Sequence, residues 1–320
     1  MVDSKQQWKA WLYLSPAIVL LLIFTVWPIL NTFRMAFING FDFTYIAANT
    51  KDDKILTLGI KNFANVVRNP YFLNALKNTI ILCVLTVPIS TILALLIAVC
   101  LNSIKPLQRL LQTIFFLPYV TNSIAIGMVF AAMFNIVGNI IGGNLYGETI
   151  NNPGIINWAL ELLGFHRINW MNTGSSYTAN IAVMVIYIVW NALPFKILIL
   201  LGGLQSINKQ YYDAAKVDST PRRRVFTRIT VPLLSPMLAY VVITGFIGGF
   251  KEYSSIVGVF GEKMGPPDAS GRLNTVVGMI YDYIEKRNYG IASAGALILF
   301  VIILIVTFIN LWVSKKRVHY

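Results

Sequence analysis

The sequence predicts an all-α membrane protein with six transmembrane helices, from its composition and from six long uncharged stretches. Of the 320 residues, 56% are hydrophobic and 12% are charged, and the mean hydropathy is +0.66. Soluble globular proteins carry about 25% charged residues, so lipid must surround much of this chain. A helix needs about 20 apolar residues to cross the hydrocarbon core. The uncharged stretches all exceed that length and lie at residues 10–33, 78–104, 110–147, 168–195, 229–250 and 288–314.

Trimmed to the most apolar residues, these stretches define one transmembrane domain, residues 12–320, after a short N-terminal segment, residues 1–11. With a helical rise of 1.5 Å per residue, each trimmed stretch is long enough to span the bilayer. The predicted spans are residues 12–33, 78–101, 111–135, 177–201, 233–250 and 291–313.

The distribution of Lys and Arg predicts the orientation. The N-terminus, the two loops at 102–110 and 205–232, and the C-terminal tail together carry 13 Lys and Arg in 56 residues. The three other loops carry 12 in 124 residues, together with 10 of the 13 acids. Because basic residues mark the cytoplasmic side, both termini and the loop at 205–232 are expected inside the cell. The basic groups are scattered over short segments, which does not favour nucleic-acid binding.

Four prolines fall inside predicted spans: Pro28, Pro88, Pro118 and Pro194. Each removes a backbone hydrogen bond and bends its helix, and bent helices leave cavities between them. Proline is also commoner in membrane helices than in soluble ones, so a single one carries little information. Four together favour a bundle that moves and encloses a cavity.

Two predicted outer loops contain amphipathic segments, Ile60 to Arg68 and Pro153 to Gly164. Their apolar faces indicate helices that lie at the membrane interface, where Trp158 would sit among the headgroups. Packing over the bundle and docking of an extracytoplasmic partner both remain open for them.

Residue patterns for metal binding, disulfide formation and nucleotide binding are absent from the sequence. His166 and His319 stand alone, and Cys83 and Cys100 share one predicted helix, roughly 25 Å apart. No GxxxxGK[ST] run exists to cradle phosphates. The chain is therefore expected to be no enzyme and to bind no metal or other cofactor itself.

The loop at 205–232 is the most polar stretch between two spans, and it predicts a helical hairpin. Asn208 would cap a first helix over 209–217, and Asp218 and Ser219 would end it. Thr220 and Pro221 form a cap and first-turn pair for a second helix, which Pro232 would end before the fifth span. Exposed aromatic residues on such a hairpin indicate that a soluble partner covers it.

The hairpin residues resemble the EAA loop of ABC-importer permeases, which seats in a cleft of the cytoplasmic ATPase. The matching residues are Asp213, Ala214, Ala215, Asp218, Ser219, Thr220, Phe226, Ile229 and Pro232. The segments LYLSPAIVLLLIFTVWPILNTFRMAF, GIKNFANVVRNPYFLNALKNT, FFLPYV and GGLQSI are similar to sugar-type permeases, in particular to the first subunit of maltose and glycerol-phosphate systems. The resemblance implies a type I ABC importer permease bundle in a bacterial or archaeal cytoplasmic membrane.

This resemblance also implies the partners: a second homologous permease, two ATPase subunits that bind ATP and Mg²⁺, and an extracytoplasmic solute-binding protein. The ATPase-coupling residues would be Tyr212, Asp213, Ala214, Ala215, Asp218, Ser219, Thr220, Phe226 and Pro232. Asp213 replaces the usual Glu of the motif, Ser219 the usual Gly and Thr220 the usual Ala. A non-glycine residue at 219 costs about 1 kcal/mol if the turn requires a left-handed backbone.

Polar and aromatic residues in spans four and five are the candidate substrate path: Trp190, Asn191, Ala192, Phe195, Gly245, Gly248 and Gly249. Aromatic faces and amides suit sugar rings and hydroxyls, and the family resemblance places several of these positions on the path. The glycines also fit close helix packing. Lys196, a charge inside span four, has three open interpretations: snorkelling to the inner surface, a structural pair, or a ligand contact.

The resulting hypothesis is a permease subunit that imports a carbohydrate, with an oligosaccharide favoured, by alternating access driven by separate ATPases. Importers of glycerol phosphate, glycerophosphodiesters or other small solutes remain alternatives within the same class. An ATP-independent secondary transporter and a membrane scaffold are the alternatives outside it, but neither explains the hairpin at 205–232.

Overall fold

The computed structural model describes residues 7–41, 57–104, 108–136 and 153–317, and within these ranges the chain is helical apart from turns and one isolated β-bridge between Ile38 and Leu58. The first eight helices are α1 (Gln7–Leu21), α2 (Trp27–Phe37), α3 (Lys61–Arg68), α4 (Pro70–Ser103), α5 (Gln108–Val120), α6 (Ser123–Phe134), α7 (Gly154–Leu162) and α8 (Tyr177–Ser206). The others are α9 (Lys209–Val217), α10 (Arg222–Val225), α11 (Val231–Leu233), α12 (Ser235–Phe250), α13 (Ser254–Phe260), α14 (Val276–Glu285) and α15 (Tyr289–Arg317).

Four helices in the described ranges are long and apolar enough to cross a membrane. They are Trp8–Phe37, Pro70–Ser103, Tyr177–Ser206 and Tyr289–Lys315, and each contains one of the predicted spans. The first is continuous because a π-helical segment, Leu22–Val26, joins α1 to α2. Pro28 lies two residues after this segment, at the second position of α2, and the wider turn accommodates the backbone hydrogen bond that the proline cannot donate.

The two remaining predicted spans are broken in the structure. The helical segments Arg222–Leu233 and Ser235–Phe250 are long and apolar enough to cross a membrane only when they are counted together, and a bend of 66° separates them. The span predicted at 111–135 is two helices, α5 and α6, separated at Thr121 and Asn122. Asn122 begins α6 because its side chain accepts a hydrogen bond from the Ile124 amide at 2.8 Å. The many apolar residues on both sides hide this break from a hydropathy pattern.

The chain divides into two compact units, of which the first combines Met1–Leu73 with Val276–Val301. Buried Asn62 on α3 donates to the carbonyl oxygens of Ala36 and Ile38, at 3.0 and 2.7 Å. Asn69 donates to the Tyr283 hydroxyl at 2.8 Å, so α3 and the start of α4 are tied to α14. The predicted amphipathic helix over 60–68 is therefore confirmed, and its buried face packs on the protein.

The second unit, Asn74–Thr275 with Ile302–Tyr320, has its densest packing where α6 crosses α13. Gly127 and Gly258 meet at this crossing, and a methyl group on Gly127 would lie 2.7 Å from the Gly258 Cα. Membrane helices pack through small residues because lipid offers no hydrophobic force to drive them together. Tyr187 of α8 is fully buried in this core, and its hydroxyl donates a hydrogen bond to the Ser123 carbonyl oxygen.

Polar side chains hold the segment between α13 and α14 against α4 and α8. Asn78 donates to the carbonyl oxygens of Arg272 and Asn274, at 3.0 and 2.9 Å, and accepts from the Tyr177 hydroxyl at 2.8 Å. Arg272 in turn donates to the Ser175 carbonyl oxygen at 2.6 Å. The carbonyl oxygens of Arg272, Asn274 and Ser175 thus accept hydrogen bonds from side chains, which the local turns alone would not provide.

We expect Gly127→Ala to destabilise the purified protein, because the added methyl group forces the α6–α13 crossing apart. Overpacking of this kind costs about 1–3 kcal/mol. Gly202→Ala in α8 is the matched control, since nothing lies within 4 Å of its new methyl group. Thermal unfolding in detergent should show a lower midpoint for Gly127→Ala only. Equal midpoints for the two variants would contradict the close crossing.

Candidate functional site

A cavity of about 290 Å³ lies in the second unit, between α4, α8 and α12 and beside the end of α5. Its polar lining comes from Thr86 and Ser90 of α4, Asn191 and Lys196 of α8, and Thr244 of α12. The size is close to the lower end of the range for small-molecule sites, about 300–1,000 Å³. Gly248 of α12 contributes to the space, since nothing lies within 4 Å of a methyl group added there, whereas Gly245 and Gly249 let α12 pack closely against its neighbours.

The structure gathers six of the seven residues predicted for the substrate path in this cavity: Asn191, Ala192, Phe195, Gly245, Gly248 and Gly249. Trp190 faces elsewhere. Its ring packs against Phe130 of α6, with centroids 5.1 Å apart, and joins the apolar core. Residues four apart lie on one helix face, so Asn191 shares a face with Phe195, whereas Trp190 lies about 140° around the helix from Phe195. The tryptophan is a packing residue in this structure.

One wall of the cavity is aromatic. The rings of Tyr119, at the end of α5, and Phe195, on α8, stack with centroids 5.8 Å apart and planes 19° apart. Half of the Tyr119 side chain is exposed, so its ring remains accessible beside the Asn191 amide. Offset stacked rings present a flat apolar surface, and an amide beside it supplies both a donor and an acceptor.

Lys196 is buried, with 4% of its surface exposed. Its ammonium group donates to the Ser90 hydroxyl at 2.6 Å, the Thr91 hydroxyl at 3.0 Å and the Val87 carbonyl oxygen at 3.3 Å. Snorkelling to the inner membrane surface is therefore wrong for this residue, because its side chain reaches across to α4. The cation bridges two helices and at the same time forms part of the cavity wall.

The two hydroxyl acceptors on α4 also bond to carbonyl oxygens one turn earlier in their own helix. Ser90 donates to the Thr86 carbonyl oxygen and Thr91 to the Val87 carbonyl oxygen at 2.7 Å. Because each hydroxyl donates backwards along its own helix, its lone pairs are free to receive the Lys196 protons.

Several cavity residues were not predicted from the sequence, notably Thr86, Ser90, Tyr119 and Glu252. Thr86 and Ser90 are one helical turn apart around Pro88, and this pairing of hydroxyls in an apolar span was a usable signal. Tyr119 and Glu252 gave no such signal, since Tyr119 lies in the last turn of α5 and Glu252 just beyond α12, and the sequence defines neither helix end. Within the described residues, no group of three or more His, Cys, Asp and Glu could hold a metal ion.

The predicted hairpin at 205–232 is present at the other end of α8. Its first helix, α9, covers Lys209–Val217 as predicted, and the Asn208 side chain caps it by accepting from the Gln210 amide at 2.9 Å. After the helix, Ser219 has a left-handed backbone, with φ at +50°. The Thr220 amide donates to Ala215 and the Ser219 amide to Lys216, at 2.9 and 3.0 Å. These two bonds define a Schellman motif, in which glycine normally occupies the position of Ser219.

The second arm differs from the prediction in three ways. Pro221, with extended backbone, precedes the first helical residue, so it takes the capping position expected for Thr220. A π-helical segment, Phe226–Thr230, then connects α10 to α11. Pro232 lies within α11 and does not end the helix; the break comes at Leu234, where the chain turns by 66° into α12. A proline near a helix start is tolerated because the amide it lacks has no helical partner there.

A groove of about 560 Å³ runs between the arms of the hairpin. Its lining includes five of the nine predicted coupling residues: Tyr212, Ala215, Ser219, Thr220 and Phe226. The Tyr212 hydroxyl lies 3.3 Å from the Thr230 hydroxyl and ties one arm to the other. Ala214 and Asp218 are exposed, and exposed Asp213 pairs with Lys216 at 3.1 Å, while Pro232 is half-buried near the bend. The hairpin thus has both a preformed groove and an exposed polar surface.

Residues 63–319 match the family described as "Binding-protein-dependent transport system inner membrane component". Among curated relatives, the lactose transport system permease protein LacF of Rhizobium radiobacter is 26% identical over 97% of this chain and 95% of its own length. The arabinooligosaccharides permease AraP of Bacillus subtilis is 28% identical, over 95% and 88%. The trehalose/maltose permease MalF of Thermococcus litoralis is 27% identical, over 96% and 94%.

A crystal structure of a bacterial ABC transporter that imports the acidic polysaccharide alginate has a chain with the same fold. The TM-score is 0.75, the sequence identity is 21%, and the match covers 98% of this chain and 97% of that one. A second structure of the bacterial alginate transporter, in complex with a pentasaccharide-bound periplasmic protein, gives a TM-score of 0.74 at 22% identity.

We expect Ser219→Gly to stabilise the hairpin by about 1 kcal/mol, because glycine adopts the left-handed backbone without a steric penalty. Ser219→Ala is the control, since alanine loses the hydroxyl but keeps the penalty. Limited proteolysis at the hairpin of the purified protein should slow for the glycine variant and not for the alanine variant. Equal protection by both would mean that the Ser219 backbone is not strained.

Proposed function

Since the chain belongs to the family of binding-protein-dependent transport system inner membrane components, we propose that it is the permease subunit of an ATP-driven importer of carbohydrate, with an oligosaccharide as substrate. The observation that carries this proposal is the cavity between α4, α8 and α12, in which a stacked aromatic pair adjoins an amide and several hydroxyls. This combination suits a sugar, because the rings contact its apolar face and the polar groups bind its hydroxyls.

Relatives support the substrate class. The printed names of curated relatives refer to lactose, arabinooligosaccharides and trehalose or maltose, and the similar solved structure imports a polysaccharide. With about 290 Å³, the cavity accommodates a part of an oligosaccharide rather than a long chain at once. A second permease subunit facing this one would extend the path and complete the enclosure.

The hairpin at 205–232 is the proposed docking element for the ATPase. Its exposed Asp213 and Lys216, its exposed aromatic Tyr211 and the groove between its arms offer a soluble partner both charge and apolar surface. The chain has no phosphate-binding loop of its own, so ATP and Mg²⁺ would be bound by two separate ATPase subunits. This arrangement requires the hairpin and both chain termini to be cytoplasmic, in agreement with the excess of Lys and Arg there.

In the proposed mechanism, ATP-driven movement of the docked hairpins changes which side of the membrane the cavity opens to. An extracytoplasmic binding protein delivers the solute to the outer side, and the ATPases bias the permeases between outward- and inward-open states. The helices α8 and α12 flank the hairpin directly and both line the cavity, so displacement of the hairpin reaches the substrate site through continuous chain.

The proposal is tested by expressing the chain with the transport genes encoded beside it and reconstituting the purified complex in proteoliposomes. Radiolabelled oligosaccharides should accumulate only when ATP and the binding protein are both supplied. If no ATPase is recovered with the chain and uptake does not depend on ATP, the assignment as an ABC importer subunit is overturned.

We expect the charge reversal Asp213→Lys to abolish ATP-dependent uptake while the protein still inserts into the membrane. The exposed carboxylate lies on the proposed docking surface, and a like charge placed opposite a matched partner costs several kcal/mol. Uptake and recovery of the ATPase by affinity purification are the measurements.

The control separates docking from loss of the local ion pair. Lys216→Glu breaks the same pair but retains Asp213, and the exchange of both charges restores the pair in reverse. Because exposed pairs contribute only about 0–1 kcal/mol, Lys216→Glu should keep most of the uptake. Normal uptake by Asp213→Lys, or full recovery in the exchanged double variant, would count against a docking role for Asp213.

A further inference from the structure

We propose that Lys196 is the anion-binding residue of the cavity and that the transported carbohydrate carries a carboxylate, which pairs with the Lys196 ammonium group. This inference rests on the proposed function and specifies the substrate class of the same site. Two observations carry it: neutral groups alone hold the ammonium group, which makes no ion pair within the described residues, and Lys196 belongs to the cavity lining.

Neutral groups alone hold the buried cation. The ion pairs Arg167–Glu161 and Lys216–Asp213 do not involve Lys196. Its bonds go to two hydroxyls and one carbonyl oxygen. These acceptors offset only part of the cost of burying a charge inside a membrane protein, where such residues normally pair or serve transport. A substrate anion would supply the missing counter-charge for as long as it occupies the cavity.

Gly245 packs against the ammonium group at the cavity wall. A methyl group at this position would lie 3.3 Å from the Lys196 Nζ atom, so a larger residue there would crowd the cation. The bond to the Val87 carbonyl oxygen, at 3.3 Å, is the longest of the three that Lys196 makes. A carboxylate oxygen that reaches Lys196 from the cavity would replace this weakest contact and leave the two hydroxyl contacts in place.

Glu252 supplies the other charge in the cavity lining and sets the charge of the ligand. Its carboxylate accepts from the Ser255 amide at 3.2 Å and makes no ion pair with Lys196. The described cavity lining thus contains one cation, Lys196, and one carboxylate, which can accept hydrogen bonds from sugar hydroxyls.

This balance favours a carboxylate over a phosphate. Within the described residues, Lys196 is the one basic residue in the cavity lining, so one negative charge on the ligand can be paired there. A phosphate monoester carries about −1.5 to −2 at neutral pH, so part of its charge would stay unpaired in a lining that already contains the Glu252 carboxylate. A sugar acid of the uronate type meets the requirement, since its ring can contact Tyr119 and Phe195 while its carboxylate reaches Lys196.

The test measures equilibrium binding to the complete importer in nanodiscs, without the binding protein, so that the permease alone selects the ligand. Three probes are used: digalacturonate, the same disaccharide after reduction of its carboxyl groups, and a phosphorylated disaccharide of equal size. We expect the importer to bind digalacturonate at least about 10-fold more tightly than the reduced form. In Lys196→Gln this preference should disappear through weaker binding of the acid, with the reduced form unaffected.

Lys196→Arg is the second variant and protects the test against misfolding, because it retains the charge. It should keep a preference for the acid even if Lys196→Gln cannot be purified. The inference is overturned if the unmodified importer shows no preference for the acid, if Lys196→Gln weakens both probes equally, or if Lys196→Arg loses the preference. Tighter binding of the phosphorylated probe than of digalacturonate would overturn the commitment to a carboxylate.

ATP-dependent uptake of the three probes into proteoliposomes separates this inference from the proposed function. Uptake of the reduced disaccharide alone, unchanged by Lys196→Gln, would leave a carbohydrate importer in place and remove the role of Lys196. Absence of ATP-dependent uptake of any carbohydrate would overturn both.

Discussion

The need to pair every polar group within the protein governs this structure, because lipid offers no hydrogen bonds. Lys196 imposes the strictest form of that requirement, since it places a cation between α4 and α8. Its three acceptors lie close together on α4, at Val87, Ser90 and Thr91. These contacts tie α4 to α8 beside the cavity that both helices line.

Small residues are the second requirement of this fold, because they let its helices pack closely. Gly127 and Gly258 let α6 and α13 touch through their backbones, and Gly249 lets α12 approach α4 so closely that an added methyl group would lie 2.8 Å from the Cys83 sulfur. The same helix α12 carries Gly248, beside which there is only open space. Glycine therefore has two opposite uses along a single helix, close contact at one position and volume for a ligand at another.

Local patterns in the sequence were sufficient for features that depend on local physics. Hydropathy located the long helices, and the Asn208 cap and α9 follow from residues next to each other in the chain. Features that depend on tertiary packing could not be read in this way. Trp190 turns toward Phe130 because α6 passes there, Lys196 finds its acceptors on a helix more than 100 residues earlier in the chain, and the break at Asn122 interrupts a stretch whose composition stays apolar.

Because of the 66° bend at Leu234, the second arm of the hairpin projects at an angle from the start of α12. The twelve residues Arg222–Leu233 form an arm of about 18 Å at 1.5 Å per residue, so a rotation of about 10° at the bend shifts the far end by about 3 Å. In the proposed coupling, a displacement of about 3 Å at the far end would therefore correspond to a rotation of about 10° at the start of α12. The length of the arm sets this ratio, and one additional helical turn would give a smaller rotation for the same displacement.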